Sequence, residues 1–390
     1  DSMKSADARL KTVIANGLAV VFANPGTSEM HLVAAIDHNP QVRPVLGLFE
    51  GVVSGAADGY ARMSGKAAAN LLHLGPGLGN AFANIHNARK ANSPMINIVG
   101  DHASYHLKHN APLTSDLDGL SKVSSDWVRR LDDPRNISKL ANEAWKNANS
   151  PSGRVATMII PADYAWSDID RDIEPKISIN NPKSVDCNDI AKAYDLLKKE
   201  KSMLFIGGRF LDEKCLKLAS HIASVTNCRL VTDTFVAKIR RGAGLPIIEQ
   251  VPYFAEMAEL FLADTQSIVF IGSRPPVSFF AYPDKKSFLS PDSAELFELC
   301  SNDDDGISAL NELKDLSGST KIDEKFIQSY IGDVPTSGDL DATTLGPLLA
   351  GLMPEDSIVS DEATTSSLLV SPFALQAKPH DWLALCGGSI

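Results

Sequence analysis

No apolar run in the 390 residues reaches the ~18 needed to span a bilayer as a helix, so no membrane role is expected. The Lys and Arg residues form no dense stripe and the net charge is −11, which disfavours a phosphate backbone, so no nucleic acid partner is expected either. Cys187, Cys215, Cys228, Cys300 and Cys386 include no CxxC pair, which suits free thiols in a reducing compartment. The opening DSMKSADARL has no apolar h-region of a signal peptide, so the expected location is cytoplasmic. With 44% hydrophobic and 22% charged residues, the composition is that of a soluble globular protein. The length implies two or three domains.

The chain alternates helical and strand periods. Over residues 5 to 165, SADARLKTVIANG reads as a helix, LAVVFANPG as a strand and turn, and SEMHLVAAIDHNP as a helix. Next come a strand VRPVLGLF, a helix EGVVSGAADGYARMSG ending at Gly65, and AAANLLHLGPG as a strand running into a glycine turn. GNAFANIHNARKANSP, MINIVGD and RVATMIIPADYAW continue the rhythm. This predicts an α/β fold of successive doubly wound parallel-sheet domains, with ligands beyond the carboxyl ends of the strands. The expected division is a first domain over 1–166, a polar linker over 167–189, a central α/β domain over 190–340 and the start of a third domain over 346–390. Those last ~45 residues are too few to close a core alone, so the third domain is read as truncated, and the strand DWLALCGGSI is expected to lack sheet partners.

Three strand-end loops, NPGTSE, FEG and HLGPGLGN, should gather at one sheet edge. They bring Gly26, Thr27, Glu50, His73, Gly75 and Gly77 to a single crevice. One acid, one imidazole and small hydroxyls suit proton transfer better than metal ligation. Glu50 ends an apolar run: it is either a helix-start acid favoured by the dipole or a buried acid with a task.

FANPGTSE, FEGVVSGAADGYAR, HLGPGLGNAFANIHNA and SPMINIVGD closely resemble, in order and spacing, the pyrimidine-binding domain of the thiamin-diphosphate-dependent decarboxylase and acetolactate synthase superfamily. The likeness runs on to SDEATTSS and CGGSI, which look like the opening of its pyrophosphate-binding domain. The resemblance implies a lyase or transferase, a 2-keto acid decarboxylase or carboligase of acetolactate synthase or benzoylformate decarboxylase type. Thiamin diphosphate and Mg²⁺ are the implied cofactors, and the chemistry runs through a C2 ylid and an enamine. By the same resemblance Glu50 hydrogen-bonds N1′ of the aminopyrimidine, Pro25, Gly26, Gly75, Gly77 and Asn80 line the cofactor, and Thr364, Gly387, Gly388 and Ser389 touch it from the third domain. The implied assembly is a homodimer or homotetramer, with the Mg²⁺-binding GDG motif expected beyond Ile390.

His73 either handles substrate or packs at a strand end, and Thr27 either contacts substrate or caps the helix starting near Ser28. Phe279 and Phe280 stand where the decarboxylase branch carries a second histidine, a departure from that pattern. Acetolactate synthases hold FAD in the central domain; here FIGGRF and IGSRPP are generic glycine turns, so FAD is possible but unsupported. Arg240, Arg241 and Arg274 are either phosphate contacts or ordinary surface charges. His102, His106 and His109 have the spacing of a helical zinc site but read better as a histidine-rich loop. A non-catalytic regulatory or assembly subunit on the same fold is the competing functional reading.

Overall fold

The computed structural model describes residues 2–170, 174–330 and 334–388. Two compact units form, one of residues 2–181 with Cys386–Gly388 and one of Pro182–Leu385.

The first unit has strands Ser2–Lys4 (β1), Val20–Asn24 (β2), Arg43–Leu46 (β3), Ala68–His73 (β4), Met95–Asp101 (β5), Trp127–Arg130 (β6), Val155–Pro161 (β7) and Asp168–Asp170 (β8). Its helices are Ser5–Asn16 (α1), Met30–Asp37 (α2), Glu50–Ser64 (α3), Leu74–Lys90 (α4), Leu117–Ser124 (α5), Ile137–Ala148 (α6) and Ala162–Trp166 (α7). Six strands form a parallel sheet in the order β3-β2-β4-β5-β7-β6. The middle strands β5 and β7 are buried at every position, as expected of a sheet covered on both faces. Two apolar clusters fill those faces, one around Leu10, Leu71 and Trp145, the other around Leu72, Leu78 and Ile85.

Register is fixed inside this sheet by polar groups. Asn70 Nδ2 donates to Asn97 Oδ1 at 2.9 Å and Asn97 Nδ2 to Thr157 Oγ1 at 3.1 Å, joining three residues paired side by side on β4, β5 and β7. A slip of one residue would leave these buried amides without partners, at about 1–3 kcal/mol each.

Two expectations are corrected here. The glycines after His73 form no turn: α4 starts at Leu74, whose φ of 50° takes the chain from strand into helix without a loop, and Pro76 sits in the first turn, where a missing N–H costs little. The segment expected to be all linker begins with β8, which pairs antiparallel with β1.

The second unit holds Ser202–Ile206 (β9), Arg229–Thr232 (β10), Ile239–Arg241 (β11), Glu249–Gln250 (β12), Ser267–Ile271 (β13), Glu295–Cys300 (β14), Ile358–Asp361 (β15) and His380–Ala384 (β16). Its helices are Cys187–Leu197 (α8), Glu213–Thr226 (α9), Ala255–Leu262 (α10), Gly306–Ser317 (α11), Ala342–Leu352 (α12) and Ser367–Ala374 (α13). Five strands run parallel in the order β12-β10-β9-β13-β14. The strand DWLALCGGSI does not lack partners: β16 lies between β15, parallel, and β11, antiparallel. Sequence reading could not reach this pairing, because β11 stands ~140 residues upstream and its three residues show no strand period.

Arg241 clamps that small sheet. Its guanidinium stacks on Trp382 at 3.8 Å, donates from Nε to His380 Nε2 at 3.2 Å and from Nη1 to Ser371 Oγ at 3.1 Å. Burial lowers the Arg241 pKa to about 9 and pulls that of His380 down too. Arg240 pairs with Asp356 and Asp381, so this arginine pair is structural. Arg241→Ala strips His380 and Ser371 of their donor and Trp382 of its stacking partner. It should weaken this sheet by about 2–4 kcal/mol, seen as faster hydrogen exchange of the β16 amides. Unchanged exchange would show that backbone pairing alone holds the strand.

Candidate functional site

The carboxyl ends of β2, β4 and β5 bring the first-unit candidates together. Glu50 is the first residue of α3 and only 8% exposed. Asn80 Nδ2 donates to its Oε2 at 2.9 Å, and one turn further along α4 Asn84 Nδ2 donates to the Gly51 carbonyl at 2.8 Å. Asn80, expected beside the cofactor, is therefore the residue that orients the acid. Asn84 went unnoticed in the sequence, although the i, i+4 spacing of two amides marks one helix face. A Cβ built on Gly77 would lie 3.4 Å from the Leu72 carbonyl carbon, 3.5 Å from His73 Cβ and 3.7 Å from Glu50 Oε1, so this buried glycine packs between the end of β4 and the acid.

His73 ends β4, and its Nδ1 lies 2.7 Å from Oε2 of Glu29. Glu29, which sequence reading passed over, is fully buried. The Gly26 amide donates to the same oxygen at 2.8 Å, while Oε1 has no hydrogen-bond partner among the described residues. Burial raises the Glu29 pKa, partly offset by the Gly26 amide and by His73. Glycine is required on both sides. A Cβ on Gly26 would fall 2.4 Å from the His73 ring, and one on Gly100 would fall 1.8 Å from Glu29 Oε1. Leu74, next to His73, is buried in the left-handed region, a strained conformation for a branched side chain.

Thr27 opens a short 3-10 turn, Thr27–Glu29, that Gly26 precedes and no side chain caps, so the capping role considered for Thr27 is not realised. Pro25 sits between Asn24, the end of β2, and Gly26. Gly75 is packed on Ser115, where a Cβ would fall 2.2 Å from Oγ, so it belongs to the helix packing rather than to an open surface. Gly387 donates its amide to Asn87 Oδ1 at 2.7 Å, and Asn87 Nδ2 donates to the Gly388 carbonyl at 3.0 Å. Thr364 lies in an exposed loop of the second unit, and Ser389 lies outside the described residues. The rings of His102, His106 and His109 pack in series at 5.4 and 5.8 Å on a bend and a 3-10 turn rather than on one helix face. Among the described residues, no three His, Cys, Asp or Glu side chains gather as a metal site.

Glu29 carries a pH signature. Its native pKa lies above its unfolded value, so the cost of ionising it is fully present above the native pKa and disappears as pH falls through the native pKa towards the ordinary carboxyl range. Wild type should therefore gain stability relative to Glu29→Gln on acidification through that window, in urea unfolding at stepped pH; parallel curves would remove the burial argument. Gly100→Ala should cost about 1–3 kcal/mol by overpacking, and less in a Glu29→Ala background. Strict additivity of the two changes would show that the close approach is not what requires glycine.

Residues 3–121 match the family described as "Thiamine pyrophosphate enzyme, N-terminal TPP binding domain". A Mycobacterium tuberculosis protein, provisionally named acetolactate synthase large subunit IlvX, is 41% identical over 396 aligned positions, covering 100% of this chain and 74% of that one. Benzoylformate decarboxylase of Pseudomonas aeruginosa is 31% identical over 149 positions, 38% of this chain and 28% of its own. The fold is that of the thiamine diphosphate-dependent 4-hydroxybenzoylformate decarboxylase of Rhodococcus jostii, with a TM-score of 0.81 at 18% identity over 98% of this chain and 76% of that one. No helix among the described residues is long and apolar enough to cross a membrane. At 41% identity to a relative of whose length it covers 74%, the chain belongs to the thiamine pyrophosphate enzymes.

Proposed function

We propose that this protein decarboxylates a 2-keto acid with thiamin diphosphate and Mg²⁺, either joining the product to a second carbonyl, as an acetolactate synthase does, or releasing an aldehyde. The observation that carries this reading is Glu50, a buried carboxylate at the start of α3 held by Asn80. An acid held in this way fits an aminopyrimidine, whose ring nitrogen the carboxyl would meet.

Bound thiamin diphosphate supplies the carbon nucleophile and the electron sink. Glu50 holds a proton at N1′ of the pyrimidine, and Asn80 keeps the carboxyl aimed there. Thr27 and His73 handle the substrate, and Pro25 and Gly26 form the wall beside them. Gly387, Gly388 and Thr364 belong to the proposed opening of a pyrophosphate-binding domain over 346–390. Leu46, Leu48, Phe49 and Val52 surround Glu50 with exposed apolar surface, Leu48 being 91% exposed, and a second copy of the chain covering this patch would keep water from the acid.

A specific observation favours the aldehyde-forming branch. The Glu29–His73 pair sets an imidazole beside a buried carboxyl, an arrangement suited to delivering a proton, and protonation is the step that leads to aldehyde rather than carbon–carbon bond formation.

Full-length protein supplied with thiamin diphosphate, Mg²⁺ and a panel of 2-keto acids should release carbon dioxide, with acetolactate from pyruvate marking the synthase and an aldehyde from a bulkier acid marking the decarboxylase. No turnover of any acid would favour a non-catalytic subunit. Glu50→Gln should lower kcat at least about a hundredfold with the fold intact, and His73→Ala about tenfold to a thousandfold. Near-normal turnover in the first variant would remove Glu50 from its role; unchanged kcat and KM in the second would leave His73 a packing residue.

A further inference from the structure

The resemblance to acetolactate synthases raises a flavin for the second unit, and the chemistry of its central sheet can be tested against one. Ligands of such sheets bind beyond the carboxyl ends of the strands, with phosphates over bare glycines and on helix N-termini. In this unit those positions belong to Gly207, Gly208 and Gly272, after β9 and β13, and to the first turns of α9 and α11, after β9 and β14.

Each is already filled by the chain itself. A Cβ on Gly207 would lie 2.7 Å from Asp233 Oδ2 and 2.8 Å from Ser273 Cβ, one on Gly208 only 1.9 Å from Asn302 Oδ1, and one on Gly272 2.5 Å from the Phe210 ring. No bare glycine surface is left for a diphosphate to approach. The helix ends are capped by carboxylates: Asp212 accepts from the Cys215 amide at 2.8 Å with Glu213 behind it, and Asp305 accepts from the Ser308 amide at 3.1 Å. Asp304 accepts in turn from the Ser301 amide at 2.7 Å.

The charge balance points the same way. Asp233 sits at the end of β10 with Ser273 Oγ donating to it at 2.8 Å, and burial raises its pKa to about 6. Arg209, the cation nearest in sequence to the glycines, spends Nε on the Asn302 carbonyl and Nη2 on the Asp304 carbonyl, at 2.8 and 2.7 Å. Arg274 follows Ser273 but is solvent-exposed, where one ion pair contributes little. A diphosphate here would meet four aspartates and a glutamate, with the amides of Gly207, Arg209, Cys215, Gly272 and Ser308 already taken.

We infer that the ligand position of the central sheet is self-filled, and that this protein takes no FAD and no adenine nucleotide there. The residues present do not fit the group, whatever the 2-keto acid. The test titrates folded full-length protein, checked by far-UV circular dichroism, into FAD while following flavin fluorescence, then desalts the mixture and reads flavin absorbance; ADP is tested in parallel by calorimetry. The expected result is unchanged fluorescence, no flavin carried through the column and no heat from ADP. A signal displaced by excess thiamin diphosphate belongs to the first-unit crevice and leaves the inference standing. Stoichiometric FAD or ADP that thiamin diphosphate does not displace overturns it.

Discussion

A carboxylate shut away from water governs the arrangement of the first unit. Glu29 is fully buried with one oxygen shared between the Gly26 amide and His73 and the other unpaired among the described residues. An ionised group so placed is expensive unless it is fully hydrogen-bonded, and the surroundings meet that demand only in part. Gly26 is bare because the imidazole lies where its side chain would be, and Gly100 is bare because the carboxylate does. The acid, the imidazole and two strand ends thus form one steric unit. Glu50 approaches it from α3, with Gly77 packed between Glu50 Oε1 and His73 Cβ.

The two acids show how similar residues take different roles. Glu50 has an amide partner, Asn80, and packs against Gly77. Glu29 is fully buried against the histidine. In the proposed function one meets a ligand atom and the other acts through His73.

Much of this could be read from the residues. Strand-end glycines, the acid after an apolar run and the β-α-β rhythm led to the carboxyl edge of the first sheet, where Gly26, Glu50 and His73 do lie, because local periodicity and chain topology determine those features. Glu29 escaped notice because an acid three residues after NPG reads as an ordinary helix-start charge, and only the folded chain shows the depth at which it lies. Leu74 misled for the opposite reason: glycine is the usual sign of a left-handed residue, and here a leucine adopts that conformation, so the glycines after it looked like a turn. The pairing of β16 with β11 depends on contacts far apart in sequence, which no window of residues records.

The amide ladder from Asn70 through Asn97 to Thr157 has a consequence for how this protein can diverge. It works as a spacer gauge: by locking β4, β5 and β7 at one height, it holds His73, Gly100 and Ile160 level at the strand ends. Loops beyond that shelf can lengthen, shorten or change composition without moving the shelf. A lineage could therefore change the ligand it takes by altering loops alone, while a change at the ladder would disturb every ligand alike.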